Sequence, residues 1–410
     1  MPTANISLSV VSPHRTEGTG KKSFDALTGV RFFAAIAVVL YHFAGSIAAQ
    51  DERISANLVD SGYVAASFFY VLSGFVLSYS YVNREGEMLG SRNSFWAARF
   101  ARIYPAYLLA FLIAAPYNVL WMLRMDHLST GLLKLLTGAV CVLTLQQGWA
   151  AWAAWHWNYP AWSVSVEAFF YLVFPIAASS LRKIGRRSCG LAIFALWAIS
   201  LAVPAALCLA ESAGPESGGR LHMAVEFTPL LRLPEFLIGV FLGRAYVLGF
   251  RFPPALCAVL SYMSLSVIVG TLARGPVAPR PLLANGLLAP AFAVLIYSLA
   301  QGQGLLARLL ALPILVLLGE ASYGIYILQI PIAYLMRISP PLNSSRVLGA
   351  YLAALIGAAL LSRRFVETPL RHRIRGWLLR ADSGAAMRRA GFPANVVYLK
   401  ATPAASHRNS

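Results

Sequence analysis

Eleven apolar stretches, each bounded by short polar or charged segments, set the pattern of the chain. They lie at residues 25–47, 62–82, 99–123, 131–147, 162–181, 189–210, 227–249, 254–272, 281–300, 312–336 and 347–365. A bilayer-crossing helix needs about 20 mostly apolar residues, and most of these stretches have that length. The pattern therefore predicts an all-α integral membrane protein. The polar first twenty residues precede a run too long for a secretory signal, so the first run is expected to stay.

Lysine and arginine in short loops favour the cytoplasmic side. Arg15, Lys21 and Lys22 place the N-terminus inside, and the loop with Asp51, Glu52, Arg53 and Asp60 falls outside. The next loop, with Arg84, Arg92, Arg99 and Arg102, returns inside. A crossing by run 131–147 would put Arg182, Lys183, Arg186 and Arg187 outside. If it does not cross, that cluster is cytoplasmic and the acidic loop of Glu211, Glu216 and Glu226 is external. The expectation is about ten transmembrane helices plus one re-entrant or interfacial segment. Residues 1–22 form a cytoplasmic N-terminal tail, 23–370 the transmembrane domain, and 371–410 a basic cytoplasmic tail. That tail suits anchoring at anionic lipids, with disorder beyond about residue 380. Pro116 and Pro331 predict kinked or discontinuous helices.

Composition sharpens this picture. Of 410 residues, 58% are apolar and 12% charged, which argues against a soluble enzyme. The net charge of +18 resides between the apolar runs, so it reflects topology and gives no basic module for nucleic acid. Cys141, Cys189, Cys208 and Cys257 are scattered without metal-ligand or redox spacing. No H-E-x-x-H, Walker loop or G-x-S-x-G elbow is present, and no metal is expected. No internal repeat is visible, which weakens a transporter reading.

Ionisable groups inside a bilayer are costly and mark candidate sites. Arg31 and His42 share the first run, and eleven residues is nearly three turns, so they face one way about 16 Å apart. Taken singly, each also has a bland reading: a snorkelling arginine and a hydrogen-bonded core histidine. Arg99 and Arg102 lie on one face at a cytoplasmic helix start, a position suited to phosphate or to ordinary anchoring. Glu167 is expected about 7 Å below Trp162, at the depth of His42. It would polarise the histidine, bind acceptor hydroxyls, or pair with an arginine. The indole-rich segment from Gly148 to Tyr159 reads as an interfacial belt or a sugar-stacking surface, with Trp157, Trp162 and Ser165 as the acceptor-binding choices and His156 a weaker one. Glu226, Arg232, Glu235 and Glu320 are expected to form structural ion pairs.

Taken together these segments resemble the acyltransferase 3 family of integral membrane proteins over most of residues 23–373. Arg31 and His42 are similar to the family's R-x(10)-H signature, and Arg99 and Arg102 to its R-x-x-R pair. Phe68-Phe69-Tyr70-Val71-Leu72-Ser73-Gly74-Phe75 is similar to its FFVLSGF stretch, and the segment Trp162 to Glu167 to its W-S-x-x-x-E block. Ser322-Tyr323-Gly324-Ile325-Tyr326 and Glu367-Thr368-Pro369 complete the order. The resemblance implies an O-acyltransferase of the cytoplasmic (inner) membrane, both termini inside, moving an acyl group, by default acetyl, from acyl-CoA to a carbohydrate or glycolipid hydroxyl. It implies His42, Glu167 and Arg31 as catalytic residues and Arg99, Arg102 and Arg31 as the acyl-CoA site. The alternative is a proton-coupled transporter or flippase of lipid-linked sugar. Two departures stand out. Thr28 replaces a frequent Asp, leaving Asp25 one turn earlier as a substitute, and Gln329 replaces a frequent His. The SGNH-type hydrolase domain of some relatives is not expected here.

Overall fold

The computed structural model describes residues 24–50, 53–125, 128–154, 157–212, 224–275 and 278–389. The expectations for the N-terminal tail, for His156, for Glu216 and for the chain beyond residue 389 lie outside them. Among the described residues the only β pairing is one bridge, Val82 to Met88. The rest of the regular structure is helical: α1 (Asp25–Phe43), α2 (Ala65–Tyr81), α3 (Arg92–Met125), α4 (Leu128–Leu143), α5 (Trp162–Ser180), α6 (Arg186–Ser212) and α7 (Pro229–Val247). There follow α8 (Pro254–Ala273), α9 (Ala289–Gln301), α10 (Pro313–Glu320), α11 (Ser322–Leu335), α12 (Ser345–Ser362) and α13 (Thr368–Arg389). Shorter helical turns sit in the connections.

Eight of the described helical segments are long and apolar enough to cross a membrane, and the pair α10 and α11, bent by 55°, makes a ninth. The chain is therefore an integral membrane protein. α7 has 19 residues, the length of a span, but carries Arg232, Glu235 and Arg244, all buried. Arg232 and Arg244 are held by neighbouring segments, Arg244 Nη1 donating to the Asn83 and Arg84 carbonyls at 3.0 and 2.8 Å. The Arg232 guanidinium donates to Asn285 Oδ1 (2.9 Å), Ser67 Oγ (3.0 Å) and the Ala284 carbonyl, and pairs with Glu235 at 3.1 Å. The eight or nine candidate spans compare with about ten expected, and α7 is the run whose buried charges keep it off that count. α4, the run expected not to cross, is the shorter apolar helix. Its C-terminal end is tied to α3, Tyr107 Oη donating to the Val142 carbonyl at 2.7 Å.

The most extensive helix contact is between α2 and α7. It depends on small residues, because a Cβ on Gly74 would meet the Phe236 carbonyl at 2.0 Å and one on Gly239 would meet the Val71 carbonyl at 2.0 Å. Close backbone approach of this kind is the usual way membrane helices associate, since burial of apolar surface gives little drive inside lipid. α1 is held similarly, with Gly29 against Leu310 and Gly319 against Thr28.

The remaining expected ion pairs also form: Glu226 with Arg280 at 3.3 Å and Glu320 with Arg363. The Arg232–Glu235 pair differs from these in being 1% exposed on both sides. Breaking a buried pair strands a charge, at a cost of about 3–5 kcal/mol. Arg232→Met is therefore expected to lower the thermal unfolding midpoint sharply in detergent. Glu87→Gln, which breaks the exposed Arg182–Glu87 pair, should shift it little, at about 0–1 kcal/mol.

Candidate active site

A cavity of about 310 Å³ opens among the first turns of α1, the middle of α2, the start of α3, the first two turns of α5 and the start of α11. Its polar lining includes Arg31, Arg99, Arg102, Glu167, Tyr171 and Tyr326. The sequence singled out four of these six as charged site candidates, Arg31, Arg99, Arg102 and Glu167, on three separate runs. Three cations against one carboxylate make the cavity attractive to anions.

Each arginine is positioned by its helix. Arg99 and Arg102, three residues apart on α3, both turn into the cavity. Arg99 is 8% exposed and is boxed by Tyr81, Phe95 and Tyr171, with ring centroids 5.3, 5.9 and 5.9 Å from the guanidinium carbon. Its Nη2 donates to Tyr81 Oη at 2.9 Å. Among the described residues its Nε has no hydrogen-bond partner. A buried donor without a partner is costly unless something else accepts from it. Arg31 lies within electrostatic reach of Arg102 and Glu167.

Composition places Arg371 in the anchoring tail. It sits on α13, which packs along α3, within electrostatic reach of Arg99 and Arg102. The signal available in the sequence was only its place two residues after the Glu367-Thr368-Pro369 block.

His42 stands apart from this cavity. It lies in the last turn of α1, about 16 Å from Arg31 along the axis. Its Nδ1 is 2.8 Å from Gln329 Oε1. The Gln329 amide orientation follows from its other bond, because Nε2 donates to the Tyr326 carbonyl at 2.8 Å. With Oε1 thus facing the histidine, Nδ1 must carry the proton and Nε2 keeps its lone pair. Gln329 is fully buried, and its own carbonyl accepts from Tyr351 Oη at 2.8 Å.

The two regions meet at one seam. Ser163 and Tyr326 line the cavity's far end, and Ser163 Oγ donates to Tyr326 Oη at 2.8 Å. Both hydroxyls also reach the Pro160 carbonyl, at 3.0 and 3.1 Å. The preceding Tyr159 meets His42 edge-on, with ring centroids 5.3 Å apart. One turn beyond Tyr326 stands Gln329.

Glu167 is not at the histidine's depth. The residue at that depth is Tyr159, and Glu167 lies about 12 Å further along toward Arg31. Its Oε1 accepts a hydrogen bond from Tyr171 Oη. The expected carboxylate–imidazole pair thus gives way to a glutamine–imidazole pair and a carboxylate among arginines.

Trp157, Trp162 and Ser165 are committed within the protein. Trp157 is 5% exposed, stacks on Phe111 at 4.3 Å, and holds a left-handed backbone with φ of 67°. Trp162 packs on Phe227 at 4.7 Å. Ser165 Oγ donates to the Leu145 carbonyl at 2.6 Å and accepts from the Gly148 N–H at 3.1 Å. None of the three lines the cavity. In the indole-rich segment Trp149 and Trp152 are about half exposed (47% and 49%), as an interfacial belt would be. Asp25 is exposed in the first turn of α1, while Thr28 lines the cavity and donates to the Phe24 carbonyl at 3.2 Å.

An arginine-lined cavity and a histidine held by Gln329 thus lie at opposite ends of α1 in a polytopic helical protein. The chain belongs to the family described as "Acyltransferase domain", whose model matches residues 24–363. It is therefore an acyltransferase, which uses an acyl donor. It is 32% identical over 322 residues to "Acyltransferase MdmB" of Streptomyces mycarofaciens, covering 74% of this chain and 77% of that one. It is 26% identical over 390 residues to "Peptidoglycan O-acetyltransferase OatA" of Listeria monocytogenes, covering 87% of this chain. A third relative, "O-acetyltransferase OatA" of Staphylococcus aureus, is 22% identical over 388 residues. The chain spans 57% of the length of each of these last two. No solved structure matches the chain significantly. The family favours acyl transfer over the transporter alternative.

Proposed function

We propose that the protein moves an acetyl group from cytoplasmic acetyl-CoA to a hydroxyl of a carbohydrate or glycolipid acceptor at the opposite side of the inner membrane. The observation that carries this reading is the arginine cavity at one end of α1 with the Gln329-held His42 at the other. Two relatives are named as O-acetyltransferases, which supports acetyl as the group transferred.

Arg99, Arg102 and Arg371, with Arg31 deeper, bind the CoA phosphates. The planar guanidinium fork suits phosphate oxygens, and the unpartnered Arg99 Nε supplies a donor already desolvated and fixed. The cavity guides the pantetheine arm toward Ser163 and Tyr326. In this reading the thioester passes the Ser163 and Tyr326 hydroxyls, which separate to let it reach His42. There Nε2 accepts the acceptor's hydroxyl proton as that oxygen bonds to the thioester carbonyl carbon. The carbon–sulfur bond breaks, and the thiolate leaves with a proton taken from the resulting imidazolium. Gln329 acts by keeping Nδ1–H pointed away from the reacting atoms. Glu167, held by Tyr171, balances the charge of Arg31 and orients it.

The termini are cytoplasmic in this reading, which gives a direct test. Sealed inside-out membrane vesicles supplied with radiolabelled acetyl-CoA outside are expected to incorporate label into membrane glycoconjugate, and right-side-out vesicles are not. Equal incorporation by intact right-side-out vesicles would place the donor site on the wrong face and overturn the reading.

A further inference from the structure

Around His42 and outside the arginine cavity, five side chains from five separate stretches of chain converge. Tyr41 and Tyr159 flank the imidazole, with ring centroids 5.1 and 5.3 Å away. Tyr63 meets Tyr41 edge-on at 5.6 Å. Arg280 lies over the Tyr63 ring at 4.4 Å, donates to Tyr41 Oη at 3.1 Å, and pairs with Glu226 at 3.3 Å. The backbone is shaped to hold this arrangement. A Cβ on Gly62 would meet the Ala37 carbonyl at 2.2 Å and Tyr41 Cβ at 2.7 Å, so only glycine lets the turn carrying Tyr63 press onto α1.

Tyr41, Tyr63 and Tyr159 are each half-buried, so part of each residue reaches solvent. The Arg280 side chain is 44% exposed and Glu226 14%. Partly exposed tyrosines next to a solvent-accessible donor–acceptor pair suit one chemical class. The C–H face of a sugar ring packs on tyrosine, and adjacent hydroxyls accept from guanidinium and donate to carboxylate. An anionic headgroup is a poorer match, because Glu226 already neutralises Arg280 and repels added negative charge.

We infer that Tyr41, Tyr63, Tyr159, Arg280 and Glu226 form the acceptor site, and that it takes the uncharged hydroxylated ring of a glycoside. This rests on the acyl-transfer reading for its purpose but not for its binding chemistry. The donor approaches His42 from Ser163 and Tyr326, while the glycoside approaches it from the tyrosines, so the imidazole lies between them. The site also accounts for the packing of Trp157 and Trp162: the stacking surface is provided by tyrosines on other segments.

The test is saturation-transfer NMR on the full-length protein in nanodiscs, with the methyl glycosides of glucose, galactose, mannose and N-acetylglucosamine as probes. At least one is expected to receive saturation at its ring protons. The signal should fall about fivefold in Tyr63→Ala, which removes the stacking face, and persist in Tyr63→Phe, which keeps it. Arg280→Met should reduce it as well. No saturation transfer to any of the four, or equal transfer in wild type and Tyr63→Ala, overturns the site. Thermal stabilisation by acetyl-CoA, measured on the same samples, reports separately on the donor. Its loss with glycoside binding intact would refute the donor reading and leave this site standing, and the reverse would refute this site alone. Retained acetyl-CoA stabilisation also establishes that the variants are folded.

Discussion

Replacing His42 by alanine is expected to reduce acetyl transfer by about 10²- to 10⁴-fold, the usual contribution of a positioned general base, while acetyl-CoA binding is unchanged. The separation follows from geometry, since His42 lies about 16 Å along α1 from Arg31 and does not line the arginine cavity. A companion variant tests why Nε2 is the basic nitrogen. Gln329→Leu removes the acceptor for Nδ1–H, frees the imidazole to take either tautomer, and leaves the Tyr326 carbonyl without its side-chain donor. It should lower kcat more than the KM for acetyl-CoA. Single-turnover assays with labelled acetyl-CoA read both effects. Full transfer by His42→Ala would remove the histidine from the chemistry.

The double variant Arg99→Ala, Arg102→Ala is expected to have the opposite profile, with donor binding lost and the histidine end intact. Each charged hydrogen bond contributes about 1.5–3 kcal/mol. Two together correspond to a loss of affinity of roughly 10²- to 10⁴-fold. Arg99 should account for the larger share, since it is buried, boxed by three aromatic rings and loses no side-chain freedom on binding. Equilibrium binding of labelled acetyl-CoA to the purified single and double variants measures this directly. Arg371→Ala should give a smaller loss, because Arg371 is exposed on α13 and does not line the cavity, reaching Arg99 and Arg102 only electrostatically.

Much of the architecture was legible because bilayer thickness fixes helix length, and each run from 25–47 to 347–365 contains a helix. Run 131–147, which the charge argument set apart, contains a shorter apolar helix than the spans around it. Arg99 and Arg102 were legible as a pair because spacing within one helix fixes a face. Contacts between helices were not. Depth counted from Trp162 put Glu167 level with His42, but α5 is preceded by the turn Tyr159–Ala161, and it is this turn that reaches the histidine. Gln329 was noticed as a departure from the family pattern. Its role depends on a bond spanning 287 residues of sequence, which periodicity does not report. Trp157 and Trp162 have the composition of an interface and the environment of a core, because their neighbours Phe111 and Phe227 come from distant segments. The cluster around Arg280 was half legible, as an expected ion pair for Glu226 without its tyrosines.

The central claim is that acetyl-CoA occupies the arginine end of the molecule. The most direct measurement is the thermal unfolding midpoint of the detergent-purified protein with and without acetyl-CoA. A ligand at about 100 times its Kd stabilises by about 2.7 kcal/mol. Wild type and His42→Ala are expected to show this rise equally, and Arg99→Ala, Arg102→Ala to show none. No rise in wild type, or an undiminished rise in the double variant, would contradict the account.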